Sequence, residues 1–98
     1  YGNCTKERHT TLQNHVNRLC NVGNRACRKG QPCETLRKNR DKNQHCYDAR
    51  VKINNECYDG GDEGHRTAAT NAKKAIIDCV KLIMKACGAG MEATPFSE

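Results

Sequence analysis

Ninety-eight residues leave room for one domain and one small core, and the only aromatic residues are Tyr1, Tyr47, Tyr58 and Phe96, so that core must be thin. The formal charge is +6 and there are eight cysteines, a combination that points to a cross-linked basic domain with an affinity for polyanions. No apolar run reaches the roughly 18 residues of a membrane span, and the single serine, Ser97 near the end of the chain, leaves little scope for a serine nucleophile.

The pattern predicts an all-α fold of three helices. Thr5 is placed to cap a first helix whose apolar stripe is Leu12, Val16, Leu19 and Cys20, and Asn21 to Asn24 end it. Cys27 to Pro32 read as a loop, and Pro32 fits the first turn of a second helix. That helix is very polar, with a sparse inner face of Leu36, Asn43, Cys46, Ile53 and Cys57, and it needs its cysteines as anchors. After a glycine-rich loop, Ala68, Ala69, Ala72, Ala75, Ile76, Cys79, Val80, Ile83 and Cys87 form the strongest amphipathic helix of the chain. Gly88 to Gly90 close it, and residues 91–98 read as a flexible tail of the same single domain. No alternating stretch argues for a strand, and the expected arrangement is up-down-up.

The cysteines are Cys4, Cys20, Cys27, Cys33, Cys46, Cys57, Cys79 and Cys87. No two have the spacing of a zinc knuckle, so four disulfides and an oxidising compartment are the better reading. In an antiparallel hairpin, Cys46 and Cys79 lie at similar heights on either side of the central loop, which predicts a Cys46–Cys79 bond. Cys4 should meet Cys57, while Cys20, Cys27, Cys33 and Cys87 share the opposite end. A bond from Cys46 to Cys20 is expected to sink this topology. A chain that opens on Tyr1, without a methionine or signal peptide, is expected to be a mature form or a domain cut from something longer.

Chemistry concentrates in Tyr58-Asp59-Gly60-Gly61-Asp62-Glu63-Gly64-His65-Arg66. Asp62 and Glu63 have a plain structural role as cap and dipole complement of the third helix. His65 and Arg66 go beyond it. A helix N-terminus beside Arg66 makes a seat for phosphate, and His65 there can act as general acid or base in phosphodiester cleavage. Asp62 and His65 are equally a pair that can bind a divalent metal, so the cofactor is left open. Residues 1–52 carry a charge of +8 and residues 53–98 carry −2, and Arg37, Lys38 and Arg40 in the basic half, with Arg66 and Lys73, are candidate substrate contacts. The basic stretch also reads as a solvated helix face. His9 and His15 fall on different faces of the first helix and are surface residues unless the fold brings one to the loop.

His45, in Asn43-Gln44-His45-Cys46-Tyr47-Asp48, invites comparison with secreted phospholipases A2, but those place Asp directly after the catalytic His, where Cys46 stands here. A closer match lies elsewhere. Cys33-Glu34-Thr35-Leu36, Asn43-Gln44-His45-Cys46, Ala49-Arg50, Ile53-Asn54-Asn55-Glu56-Cys57 and Gly60-Gly61-Asp62-Glu63-Gly64-His65-Arg66, continued through Ala69, Ala72 and Cys79, resemble the C-terminal toxin domains of bacterial polymorphic toxin systems. These are the variable tips of Rhs-type and type VI-secreted effectors, and the chain is similar to their small, cysteine-bearing "novel toxin" families. The resemblance implies an antibacterial toxin, secreted or delivered into a target cell and neutralised in the producer by a cognate immunity protein. Carried onto this chain, it marks Asp62, His65 and Arg66 as functional positions, with His45 as a further candidate.

Three readings follow for what is expected to be a monomer. The first is a nuclease acting on RNA or DNA. The second is a hydrolase of lipid or peptidoglycan in the periplasm, and the third is a disulfide-rich helical binder without catalysis.

Overall fold

The computed structural model describes residues 1–88, within which there are three helices and no strand: α1 (Lys6–Cys20), α2 (Cys33–Tyr58) and α3 (Glu63–Cys87). Ala89, Gly90 and the expected tail, residues 91–98, lie outside the described residues. Each helix starts for a local reason. Thr5 Oγ1 accepts from the Arg8 amide at 3.1 Å, and Asp62 Oδ1 accepts from the His65 amide at 3.0 Å. Pro32 stands just before α2, its carbonyl accepting from the Leu36 amide at 3.0 Å.

α2 is the central element. It packs against both α1 and α3, which do not pack against each other among the described residues. Leu12, Val16 and Cys20 of α1 meet Cys46, Ala49, Ile53 and Cys57 of α2 in one cluster that also takes in Ala72 of α3. The buried positions of α3 are Ala72, Ile76, Cys79 and Ile83, a stripe at three- to four-residue spacing, as its sequence predicts. α2 is different because three of its buried residues are asparagines, Asn39, Asn43 and Asn54. All three are satisfied. Asn39 donates to Ala26 O at 3.1 Å, Asn43 donates to Arg25 O at 2.9 Å, and Asn54 donates to His65 O at 3.2 Å. The polar inner face therefore fastens α2 to the two segments that have no apolar grip of their own, the α1–α2 connection and the turn into α3.

Four disulfides staple the domain, Cys4–Cys57, Cys20–Cys46, Cys27–Cys79 and Cys33–Cys87. Cys4–Cys57 and Cys33–Cys87 join helix beginnings to helix ends, so consecutive helices run antiparallel and the up-down-up order holds. The predicted Cys46–Cys79 bond is corrected. Cys46 belongs to the 46-49-53-57 stripe that faces α1, so its partner is Cys20. Cys79 sits a turn further along, level with Asn43, whose Nδ2 lies 3.5 Å from its Sγ, and it bonds to Cys27 in the connection. A Cys20–Cys46 bond is thus compatible with the antiparallel order and does not count against it, because matching heights leaves open which face of α2 each cysteine occupies.

Candidate active site at the α2–α3 turn

The turn from α2 to α3 is built from backbone shapes that suit few residues. Asp59 caps α2 in the left-handed region (φ 50°), and Gly60 and Gly61 follow at φ 94° and 102°. Their amides close the turn, Gly60 N donating to Asn54 O and Gly61 N to Tyr58 O, both at 2.9 Å. Gly61 is also packed tightly, since a Cβ there would sit 3.2 Å from both Asn54 and Arg66 side-chain atoms. Arg66 reaches back, and its Nη1 donates to Gly61 O at 2.8 Å. The chain then enters α3 with Asp62 as N-cap.

That entry sets up the chemistry. His65 lies three residues into α3, and its Nδ1 is 2.7 Å from the same Asp62 Oδ1 that caps the helix. An ionised carboxylate only accepts, so Nδ1 carries a proton, and in the tautomer this selects the ring's accepting nitrogen is Nε2. Two hydrogen bonds from His65, that of the backbone first and that of the ring second, hold the Asp62 carboxyl below the ordinary carboxylate range. The imidazole is half-buried because Tyr58 stacks on it, with ring centroids 4.1 Å apart and planes 28° from parallel. Tyr58 is held in turn by His9, whose Nε2 lies 2.9 Å from the Tyr58 hydroxyl. Tyr1 completes the row, its ring centroid 5.4 Å from that of His9. The antiparallel docking of α1 thus brings His9 to the turn, which its position in the sequence alone does not reveal.

The open side of the pair is a depression of about 530 Å³ lined by Arg50, Asp62, Glu63, Gly64, His65 and Ala68. Arg50 was no candidate from sequence. It follows Ala49 on a helix that reads as solvated, and only the packing of α2 on α3 places it beside His65. The other sequence candidates are distributed differently. Arg66 and Lys73 line a separate cleft of about 300 Å³ with Tyr47, Val51 and Asn54, which shares no lining residue with the depression. His45 is exposed on α2, about 20 Å along the helix axis from the turn. Arg37, Lys38 and Arg40 stand nearer the start of α2, where Lys38 pairs with Glu34 at 3.1 Å and Arg40 with Asp41 at 3.3 Å. The structure therefore joins Asp62 to His65 and leaves His45 and the basic run apart from them. Among the described residues no three His, Cys, Asp or Glu side chains converge as a metal-binding group, so Asp62 and His65 stand as two donors without a third.

No helix of the described residues is long and apolar enough to cross a membrane. No curated protein and no solved structure matches the chain. The model of the toxin family described as Novel toxin 16 does match, over residues 1–82, a span that contains the whole turn and seven of the eight cysteines, and the chain belongs to that family.

Proposed function

We propose that this toxin domain is an antibacterial nuclease that cleaves phosphodiester bonds of RNA or DNA with the Asp62–His65 pair. The observation that carries this reading is the 2.7 Å contact between Asp62 Oδ1 and His65 Nδ1, which orients an imidazole at the edge of an open depression that Arg50 also lines. His65 Nε2 takes the proton of the attacking hydroxyl, the ribose 2′-hydroxyl in RNA or a water in DNA, as its oxygen bonds to phosphorus. The bond to the leaving oxygen breaks, and that oxygen takes its proton from solvent water, while the imidazolium later returns its own proton to solvent. Asp62 fixes the ring tautomer and stabilises the imidazolium while it exists. The formal charge of +6 draws the polyanion in and makes binding salt-sensitive. Arg66 serves the pair through the turn by holding Gly61 O, and Lys73 adds charge beyond it. In this reading a cognate immunity protein covers the depression in the producing cell.

A second reading has its own support. Four disulfides suit an oxidising compartment, which favours a target in the periplasm, lipid or peptidoglycan. One experiment separates the two. The domain is expressed inducibly in a bacterium, once routed to the cytosol and once to the periplasm, as wild type and as His65→Ala, with folding checked by circular dichroism. Killing from the cytosol with degraded RNA or DNA, lost in a folded His65→Ala protein, is the expected result. Killing only from the periplasm transfers the pair to an envelope substrate, and killing that survives the substitution removes His65 from the mechanism.

A further inference from the structure

Arg50 lines two adjoining concavities. One is the depression at His65, and the other is a groove of about 240 Å³ formed by Arg25, Cys46, Arg50, Ala68, Asn71, Ala72 and Ala75. Arg50 and Ala68 belong to both, so the two adjoin along α3. In the groove stands Arg25, which comes from the α1–α2 connection and is clamped in place. Its Nη1 donates to Asn43 Oδ1 at 2.8 Å, the Asn43 amide donates back to Arg25 O at 2.9 Å, and the adjacent Cys27–Cys79 bond ties the connection to α3. Arg25 Nε is buried and has no hydrogen-bond partner among the described residues.

Two guanidiniums in one groove repel each other. Burial, and then the neighbouring Arg50, weaken the hold of Arg25 on its proton. Among the described residues no carboxylate lines this groove, and those of the adjoining depression, Asp62 and Glu63, lie on the His65 side of Arg50. A fold that spends a double hydrogen bond and a disulfide on holding Arg25 against Arg50 has built a seat for an anion that arrives from outside. The floor of the groove is alanine (Ala68, Ala72 and Ala75), so a thin polymer backbone can approach both guanidiniums without meeting long side chains.

We propose that Arg25 and Arg50 form a phosphate subsite for a single-stranded nucleic acid, which lies along the α3 groove with its next phosphodiester at the Asp62–His65 pair. The identity of the ligand rests on the nuclease reading, whereas the anion seat rests on the arginine geometry alone. A single strand is specified because its flexible backbone can dip into two small adjoining concavities, of about 240 and 530 Å³, which a stiff duplex would bridge.

The test is fluorescence anisotropy with a labelled ten-nucleotide RNA, its DNA counterpart and a duplex of the same sequence, over a series of salt concentrations. All proteins carry His65→Ala, so binding is read without cleavage. Arg50→Ala is expected to weaken single-strand binding about tenfold and to lower the slope of log K against log salt by about 1, with Arg50→Lys restoring part of the affinity. Lys81→Ala removes the same charge from an exposed position on α3 and sets the effect of net charge alone. Inorganic pyrophosphate should compete in the parent and not in Arg50→Ala. Because Arg25→Ala also strips a partner from Asn43, Arg25→Lys is the companion variant. If Arg50→Ala binds no worse than Lys81→Ala, the subsite is overturned while the nuclease reading stands. If pyrophosphate competes through Arg50 but wild type cleaves no nucleic acid, the anion seat stands and its ligand class is wrong. Preference for the duplex overturns the single-strand assignment.

Discussion

Asp62 has two tasks that substitutions can separate. Its Oδ1 accepts both the His65 amide, as a helix cap, and the His65 ring. Asparagine caps helices about as well as aspartate but carries no charge, so Asp62→Asn should stay folded and lose activity by about 10²- to 10⁴-fold. Asp62→Ala should lose both, and thermal melts beside activity assays check the contrast. The lowered pKa of Asp62 also carries a pH signature. A group whose folded pKa is depressed stabilises the fold above its unfolded value, near about 4, and loses that contribution as pH falls through the lower folded value. Wild type should therefore melt higher than Asp62→Asn at neutral pH, with the difference closing only below about pH 4. Tyr58 acts through His65. Tyr58→Phe keeps the 4.1 Å stack and loses the bond to His9, whereas Tyr58→Leu loses both. The leucine variant should cost about tenfold more activity than the phenylalanine variant and broaden the His65 ring-proton signals in NMR spectra.

Among the elements, the turn is the one whose sequence is least replaceable. Gly60 and Gly61 both have positive φ, but only at Gly61 would a Cβ meet Asn54 and Arg66 atoms. Gly61→Ala should cost about 1–3 kcal/mol and Gly60→Ala the lower part of that range, measured by urea denaturation. Most of this architecture is legible in the chain. Thr5 and Asp62 announce helix starts because their side chains suit caps, and the Leu12-Val16-Cys20 and Ala72-Ile76-Cys79-Ile83 stripes announce buried faces because helical periodicity is a local property. The partner of Cys46 is not legible, because α2 has neighbours on two sides and its sparse apolar pattern leaves open which side takes Cys46. Arg25, Arg50 and His9 escape for a related reason. Each looks like an ordinary polar surface residue locally, and acquires a role only when helices distant in sequence dock.

At the scale of the molecule, stability is shared between a thin core and interleaved cross-links. Cys27–Cys79 closes a separation of 52 residues, which by chain entropy alone would contribute about 4 kcal/mol. Cys33–Cys87 interleaves with it, Cys33 falling shortly after Cys27 and Cys87 shortly after Cys79, so with that bond intact the effective loop shrinks to roughly 15 residues and the contribution to about 3 kcal/mol. Replacing Cys27 and Cys79 by serine should therefore lower stability by about 3 kcal/mol in denaturant unfolding, and removing both pairs should cost more than the two losses measured singly. The first replacement also frees the connection that carries Arg25, so oligonucleotide affinity should fall along with stability.

All four cysteines up to Cys33 are joined to the four from Cys46 onward, so every cross-link spans the stretch between those two residues. In graph terms, that stretch of backbone can be severed without disconnecting the protein. A protease cut anywhere between Cys33 and Cys46 yields two polypeptides joined at four points, running as one band without reductant and as two with it. The covalent integrity of the domain is then governed by the redox state of its surroundings, even after its peptide chain has been broken.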